Sequence, residues 1–535
     1  MSGANVVGLF AAQAQARPDV PAIIEGTGRR RRATTFADLE RLGAEGAARL
    51  RQSGVGPGDR VLVLVPVSAA LYGVLAAVFR VGAVAVLVDP GAGRETFGYA
   101  VTRANPDAFV GTPKAHLLRL VDPAVRAVPT RFVVGGWAPG ARRWTGGAPT
   151  GVDLTELEPV GGGAPALLTF TSGTTGRPKA AVRTHGLLAA QHAALAQALD
   201  LRPGDVDLAT LPVVVLANLA SGVTTVLADA DLRRPGAVDV ARLRAQIAAE
   251  RPTRSVASPA FFERLLGDAV TGASGLGAET FASFRRLDTG GAPVFPDLLD
   301  RLAAVAGAAV AVYGSTEAEP IAHTGPPSAA DRQRTADGGG LLAGRPVPQV
   351  ELQVVRDTAG PTGPFTVAEW GVRALPPGET GEVVVAGAHV VPGTLDGEGD
   401  AETKVDVDGR RWHRTGDAGR LDAQGRLWLL GRCAAVSRRG DQAVYPLQVE
   451  AALRSRGVRA AFVDLDGRRV VAVTDGTTTA DVQSAVPWAG VDAVVRVPTL
   501  PVDRRHNAKI DRPALIAVLR ARGVRWGVGV PQPPP

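Results

Sequence analysis

Nine consecutive positions, Thr171-Ser-Gly-Thr-Thr-Gly-Arg-Pro-Lys179, hold four hydroxyl side chains, two glycines and a lysine. Glycines let successive backbone N–H groups turn toward one anion, hydroxyls add donors, and the lysine adds a point charge. The chemistry served by this combination is polyphosphate binding. It is not the Walker pattern, in which Gly-Lys-Ser/Thr closes the loop, and a plain surface turn needs neither the lysine nor the run of hydroxyls. Of 59 basic residues only Lys114, Lys179, Lys404 and Lys509 are lysines. Where lysine appears in so arginine-rich a chain, a compact flexible charge is wanted that a planar guanidinium does not supply.

Three more stretches carry chemistry of the same kind. Leu287-Asp-Thr-Gly-Gly-Ala-Pro293 reads as a strand running into a glycine turn, where Gly290 and Gly291 would let a flat ligand lie against bare backbone. Ala311-Val-Tyr-Gly-Ser-Thr-Glu317 is an apolar strand ending in polar residues. Tyr313 could stack on a purine, and Glu317 beside bound phosphates could hold Mg²⁺, a hard ion that takes carboxylate oxygen and keeps its waters. In His413-Arg-Thr-Gly-Asp417, followed by Gly431-Arg432, an aspartate at a strand end could accept both hydroxyls of a ribose or simply cap a turn. Lys509 sits late, in Arg504-Arg-His-Asn-Ala-Lys-Ile-Asp511.

The elements that must position these residues read as α/β. A chain of 535 residues is too long for one core and implies several domains or subdomains. Hydrophobic content of 45% with 21% charged residues is that of a globular protein. The single cysteine, Cys433, excludes an intrachain disulfide framework and a cysteine-rich metal site, as in a reducing cytoplasm. A net charge of +7 is modest at this length and argues against nucleic-acid binding. The first residues lack the order of a signal peptide.

The apolar run Leu62–Phe79 is broken by Pro66, Ser68 and Gly73. It reads as strand Val61–Val67 and helix Ala69–Arg80 of a βαβ unit, not as a membrane span. Alternating strands and helices continue to residue 160, with a loop over Gly135–Gly151, and a helix is expected over Gly186–Leu199. Three strand-end loops with glycine and polar residues on such a scaffold point to one nucleotide site at the carboxyl ends of the strands. The apolar stretch opening at Val213, with Val214, Val215 and Asn218, is either core or the wall of an apolar substrate pocket. Val256–Phe262, which includes Ala260, could form another wall. Residues 345–431 change to short strands with Pro/Gly/Asp turns, a β-rich subdomain of a 1–431 domain. A last α+β domain spans 432–535, with helices Pro446–Arg456 and Pro513–Arg522 and a disordered tail over 530–535.

In order and spacing these motifs resemble the adenylate-forming superfamily of acyl-CoA synthetases, peptide-synthetase adenylation domains and luciferases, over about residues 5–525. The resemblance implies a large N-terminal domain, a small mobile C-terminal one and an active site between them that uses ATP and Mg²⁺. It assigns Thr171, Ser172, Gly173, Thr174 and Lys179 to the pyrophosphate loop, and Gly291, Ala292 and Tyr313 to adenine. Thr316 goes to the α-phosphate, Glu317 and Thr174 to Mg²⁺, and Asp417 and Arg432 to the ribose. Lys509 resembles the lysine that bridges carboxylate and α-phosphate. Gly290, Val214, Val215, Asn218 and Ala260 fall at the substrate pocket.

A narrower resemblance is to the olefin-pathway β-lactone synthetases, carried by Val86-Leu-Val-Asp-Pro-Gly91, Gly314-Ser-Thr-Glu317 and Pro501-Val-Asp-Arg-Arg-His-Asn-Ala-Lys-Ile510. These activate a β-hydroxy acid, whose own hydroxyl then closes a four-membered ring. The final lysine follows Asn507-Ala508 instead of the common Ser/Thr-Gly. The acidic hinge of thioester-forming relatives is replaced by Ala434 and Ala435, and their Ile-Lys-x-x-Gly loop by Ser437-Arg-Arg-Gly-Asp441. The expected substrate is therefore an aliphatic β-hydroxy or other acyl carboxylate. A fatty-acyl ligase for CoA or a carrier protein is the alternative, and a carrier or another enzyme of the same biosynthesis the expected partner. His185 and His506 are candidates for the base that takes the hydroxyl proton.

Overall fold

The computed structural model describes residues 5–145, 155–172, 178–267, 275–356, 363–503 and 509–522. Gly173, Thr174, His506 and the tail over 530–535 lie outside the described residues.

The run around Leu62–Phe79 folds as its interruptions dictate. Strand Arg60–Leu64 ends before Pro66, the Ser68 hydroxyl accepts from the Leu71 N–H as an N-cap, and helix Ala69–Arg80 leads back to the parallel strand Val84–Leu87. The helix is apolar on every side because every side is covered. Its one charge, Arg80, is buried and donates to Glu40 at 2.7 Å. No helix among the described residues is long and apolar enough to cross a membrane.

Two large sheets carry the first 432 residues. One has seven strands and ends in the antiparallel hairpin Pro165–Ser172 with Pro178–Thr184, which frames the phosphate stretch. The other has fourteen strands. Its parallel part includes Val206–Ala209, Arg254–Ala257, Arg286–Gly290 and Ala309–Ser315. It then turns antiparallel through Ala318–Thr324 and Leu341–Pro346 to Leu427–Arg432, Arg410–Leu421, Gly381–Ala386 and Glu351–Val355. The β-rich stretch expected over 345–431 is hydrogen-bonded into this fourteen-stranded sheet. It also holds a helix, Val367–Arg373, and a strand, Lys404–Val407, not foreseen from the sequence.

Beyond Cys433, a three-stranded sheet of Ala460–Leu465, Arg468–Val473 and Ala493–Arg496 has apolar clusters on both faces, packed by helices Pro446–Arg454, Thr479–Ala485 and Arg512–Ala521. This unit rests on the first through its leading helix and the residues beside it: Tyr445 packs against Ala418 and Leu430. Arg454 reaches Asp297 at 2.7 Å and Glu263 at 3.1 Å, and Gln448 donates to the Gly338 carbonyl at 2.9 Å. The Trp488 ring lies where a Cβ on Gly338 would sit, 2.4 Å away, so a side chain there would unseat it.

Candidate active site

One cleft of about 3030 Å³ runs between the large sheets and the C-terminal unit. Small-molecule pockets hold roughly 300–1,000 Å³, so there is room for a nucleotide and a second substrate together. Lys179, Gly290, Gly291, Ala292, Tyr313, Thr316, Glu317, Asp417, Arg432 and Lys509 all line it, although they lie as much as 330 positions apart in sequence.

The best-defined part is a clamp on Asp417. The Tyr313 hydroxyl donates to one carboxylate oxygen at 2.8 Å, and Arg432 donates to the other at 3.0 Å. Burial, then the Asp417 charge and its hydrogen bond, push the Tyr313 phenol well above its ordinary range, so it stays a donor. Gly416 holds φ +68°, and an added Cβ would meet the Arg432 guanidinium at 2.9 Å. The turn is set from below by Glu382, which accepts from the Arg414 guanidinium at 2.6 and 2.8 Å and from the Gly416 N–H at 3.1 Å.

The Tyr-Gly-Ser-Thr-Glu turn is tied to the phosphate hairpin by Arg183, which donates to the Thr316 carbonyl at 2.6 Å and to the Thr169 hydroxyl. The Glu317 carbonyl accepts from the Val391 N–H at 2.7 Å. Its carboxylate lines the cleft and makes no hydrogen bond or ion pair among the described residues. A lone open carboxylate beside a phosphate site is the donor set that Mg²⁺ takes when phosphates supply the rest. Lys179 instead pairs with Glu402 at 2.7 Å. Thr171 and Ser172 stand in the hairpin strand opposite Lys179 and Pro178.

Behind Glu317 lies Lys404, one of the four lysines, in a role that the sequence around it does not show. Lys404 is 3% exposed and donates from Nζ to the Val391 carbonyl at 2.5 Å, with His413 Nδ1 3.2 Å away. Burial lowers its ammonium to about 8, partly offset by the Glu317 charge. Burial, and then the Lys404 charge, hold the His413 imidazole down at about 3.

The apolar wall is sorted by a helix. Pro212–Ser221 presents Val213, Val214, Leu216, Ala217 and Ala220 to the cleft, where Ala260 also lies. Val215 and Asn218 do not line it. They are on the opposite face of the same helix, as a 3.6-residue period requires. Val215 packs in the core, and Asn218 donates to Asp207 at 2.8 Å and Thr225 at 3.1 Å. His185 is also in the core: its Nδ1 accepts from the Val6 N–H at 3.2 Å, and burial lowers it to about 4. Among the described residues, the imidazoles that line the cleft are His192, 2.9 Å from the Ser221 hydroxyl, and His413.

A family profile described as AMP-binding enzyme matches residues 10–395. The chain belongs to the AMP-binding enzyme family. This AMP-binding enzyme is an adenylate-forming ligase, and adenylate-forming enzymes use ATP. It is 32% identical to an olefin β-lactone synthetase of Xanthomonas campestris pv. campestris, over 90% of both chains. It is 30% identical to a feruloyl-CoA synthase of an Amycolatopsis species, over 92% of this chain and 87% of that one. Among solved structures it resembles ATP-bound MatB from Rhodopseudomonas palustris, with a TM-score of 0.75, 21% identity, and coverage of 97% and 99%.

Proposed function

We propose that this AMP-binding enzyme converts a β-hydroxy carboxylic acid into a β-lactone. A carboxylate oxygen attacks the α-phosphorus of ATP, forming the acyl adenylate and releasing pyrophosphate. The β-hydroxyl oxygen then attacks the acyl carbon. The bond from that carbon to the adenylate oxygen breaks, AMP leaves, and the hydroxyl proton passes to phosphate or solvent. The observation that carries this reading is the similarity to an olefin β-lactone synthetase across nine-tenths of both chains.

The residues fit these steps. Tyr313, Asp417 and Arg432 would hold the nucleoside; Lys179 and the 171–177 stretch the polyphosphate. Lys509, exposed across the cleft, would bridge the carboxylate and the α-phosphate, where a positioned cation stabilises developing charge. Glu317 and Thr174 would hold Mg²⁺, which neutralises phosphate charge when bound. A hydroxyl on the substrate itself has an effective concentration of up to ~10⁵ M or more when well oriented. It needs neither a second substrate nor a pantetheine tunnel. The hairpin of Ser437–Arg439 with Gln442–Val444, which replaces the tunnel-lining loop of thioester-forming relatives, is tied into its own domain by Arg439 on Asp492 and Arg469 on Gln442.

The 30% identity to a feruloyl-CoA synthase supports a second reading, an acyl ligase for CoA or a carrier protein. Product analysis separates the two. The enzyme is incubated with ATP, Mg²⁺ and β-hydroxy acids, with and without CoA. Loss of water from the acid, with one AMP per product and no need for CoA, is expected. Strict dependence on CoA with a thioester product would overturn lactone closure. A cytoplasmic location is part of the same reading.

A further inference from the structure

Residues 113–143 carry a charge and an apolar surface that the adenylation site does not use. Lys114, Arg119, Arg126, Arg131, Arg142 and Arg143 face a single acid, Asp122, so this short segment holds +5 of a chain total of +7. Asp122 is turned inward, capping the N–H groups of Ala124 and Val125. The cations are gathered together. Arg126 donates to the Arg119 and Leu120 carbonyls, and Arg94 from a neighbouring helix donates to the Val121 carbonyl. Arg131 donates to the Arg126 carbonyl at 2.7 Å and Arg119 to the Pro139 carbonyl at 2.8 Å, and both guanidiniums flank the space where a Cβ on Gly140 would stand. Burial, then the Arg131 charge, lowers the Arg119 guanidinium. Lys114, Arg119, Arg126 and Arg131 make no ion pair with a carboxylate among the described residues.

The same surface exposes Leu117, Leu120, Val121 and Trp137 at 49–72%, four of the seven large hydrophobic side chains exposed among the described residues. An apolar patch rimmed by one sign of charge marks a site of association. Leucines and a tryptophan ringed by Lys and Arg have the composition of surfaces that seat in the headgroup layer of anionic lipid. Lys114, Ala115 and Leu118, on the same short helices, line the cleft, so the patch adjoins one mouth of it.

We infer that the face formed by Leu117, Leu120, Val121 and Trp137, with Lys114, Arg119, Arg126 and Arg131, docks on an anionic lipid surface. The inference stands apart from the lactone reading, since it needs only the patch.

The test is co-sedimentation of the full chain with phosphatidylcholine vesicles, with and without about 30% phosphatidylglycerol, at low and high salt. Binding that requires phosphatidylglycerol and weakens with salt is expected. The double variant Leu117→Ser/Leu120→Ser should bind at least tenfold more weakly. Lys114→Gln and Arg126→Gln should each lose about fivefold, the size of one basic contact at an anionic surface. Val367→Ser/Val372→Ser, exposed elsewhere, should bind like the parent. Thermal melts of all variants exclude unfolding as the cause. No binding to phosphatidylglycerol vesicles, equal binding to neutral ones, or equal loss in the Val367/Val372 control would overturn the inference. So would sedimentation without vesicles that disappears in the leucine variant, which would mean self-association.

Discussion

Replacing Lys404 with Met tests the buried ammonium behind Glu317. The ordinary lysine value is 10.5, and burial brings Lys404 to about 8. A shift of that size is worth about 3 kcal/mol between the two protonation states. Below pH 8 the side chain is charged in both folded and unfolded chains, and folding carries the full cost of burying it. Between pH 8 and 10.5 the unfolded chain binds the extra proton, so stability rises with pH across that window. Above 10.5 the cost is gone.

Lys404→Met removes this pH dependence. It also leaves the Val391 carbonyl without its donor, a loss of roughly 1–3 kcal/mol that does not vary with pH. The difference in melting temperature, parent minus variant, should therefore show an offset near neutral pH and then climb by several degrees through the window. Groups that the substitution does not touch are common to both proteins and cancel in the difference, and with only four lysines in the chain the background is low. A difference that stays flat from neutral pH to 10.5 would refute the burial of Lys404 and the support it gives to Val391 and Glu317.

Three further outcomes are expected. Tyr313→Phe removes a hydrogen bond to the Asp417 carboxylate, worth roughly 1.5–3 kcal/mol; KM for ATP should rise at least tenfold with a smaller change in kcat, and an unchanged KM would dissociate the clamp from nucleotide binding. Lys509→Ala should nearly abolish ATP–pyrophosphate exchange while leaving the melting temperature unchanged, because the side chain is exposed; near-normal exchange would remove its assigned role. Arg254→Met would leave the buried Asp207 carboxylate without a cation and Asp288 with Arg286 alone; Arg254 approaches the two at 3.5 and 2.9 Å. It should cost about 3–5 kcal/mol in urea unfolding, with KM for ATP unchanged in protein that folds.

The residues read toward a nucleotide, which line one cleft, were legible because their types announce themselves. Hydroxyls, glycines and a lysine crowd into one stretch, Tyr313 and Arg432 each stand beside a glycine in a strand, and Glu317 and Asp417 each close a short polar run that carries a glycine. The apolar wall was not. Val213–Ala217 is apolar at every position, so its period is hidden, and only the helix reveals that Val214 and Ala217 face the cleft while Val215 and Asn218 face the core. The supports were silent for a different reason. Arg183, Glu382 and Lys404 are single charges in ordinary strands, and Arg183 meets its Thr316 partner 133 positions away. His185 looked available as a base because nothing nearby in sequence shows that Val6 and Phe79 close over it. The antiparallel joining of Leu341–Pro346 to Leu427–Arg432 was hidden likewise, since pairing across that interval leaves no local signal.

That joining decides where the gene can be cut. Tyr313 and Asp417 meet across strands of a single sheet, linked through Ala318–Thr324, Leu341–Pro346 and Leu427–Arg432. A chimera that takes the region beginning at residue 345 from a relative would split the strand Leu341–Pro346 and pair foreign edges between Tyr313 and Asp417. A junction after Arg432, where the last sheet strand ends, disturbs no ladder of that sheet. Grafts that exchange the C-terminal unit alone should keep their nucleotide affinity, whereas grafts joined near residue 345 should lose it together with their fold.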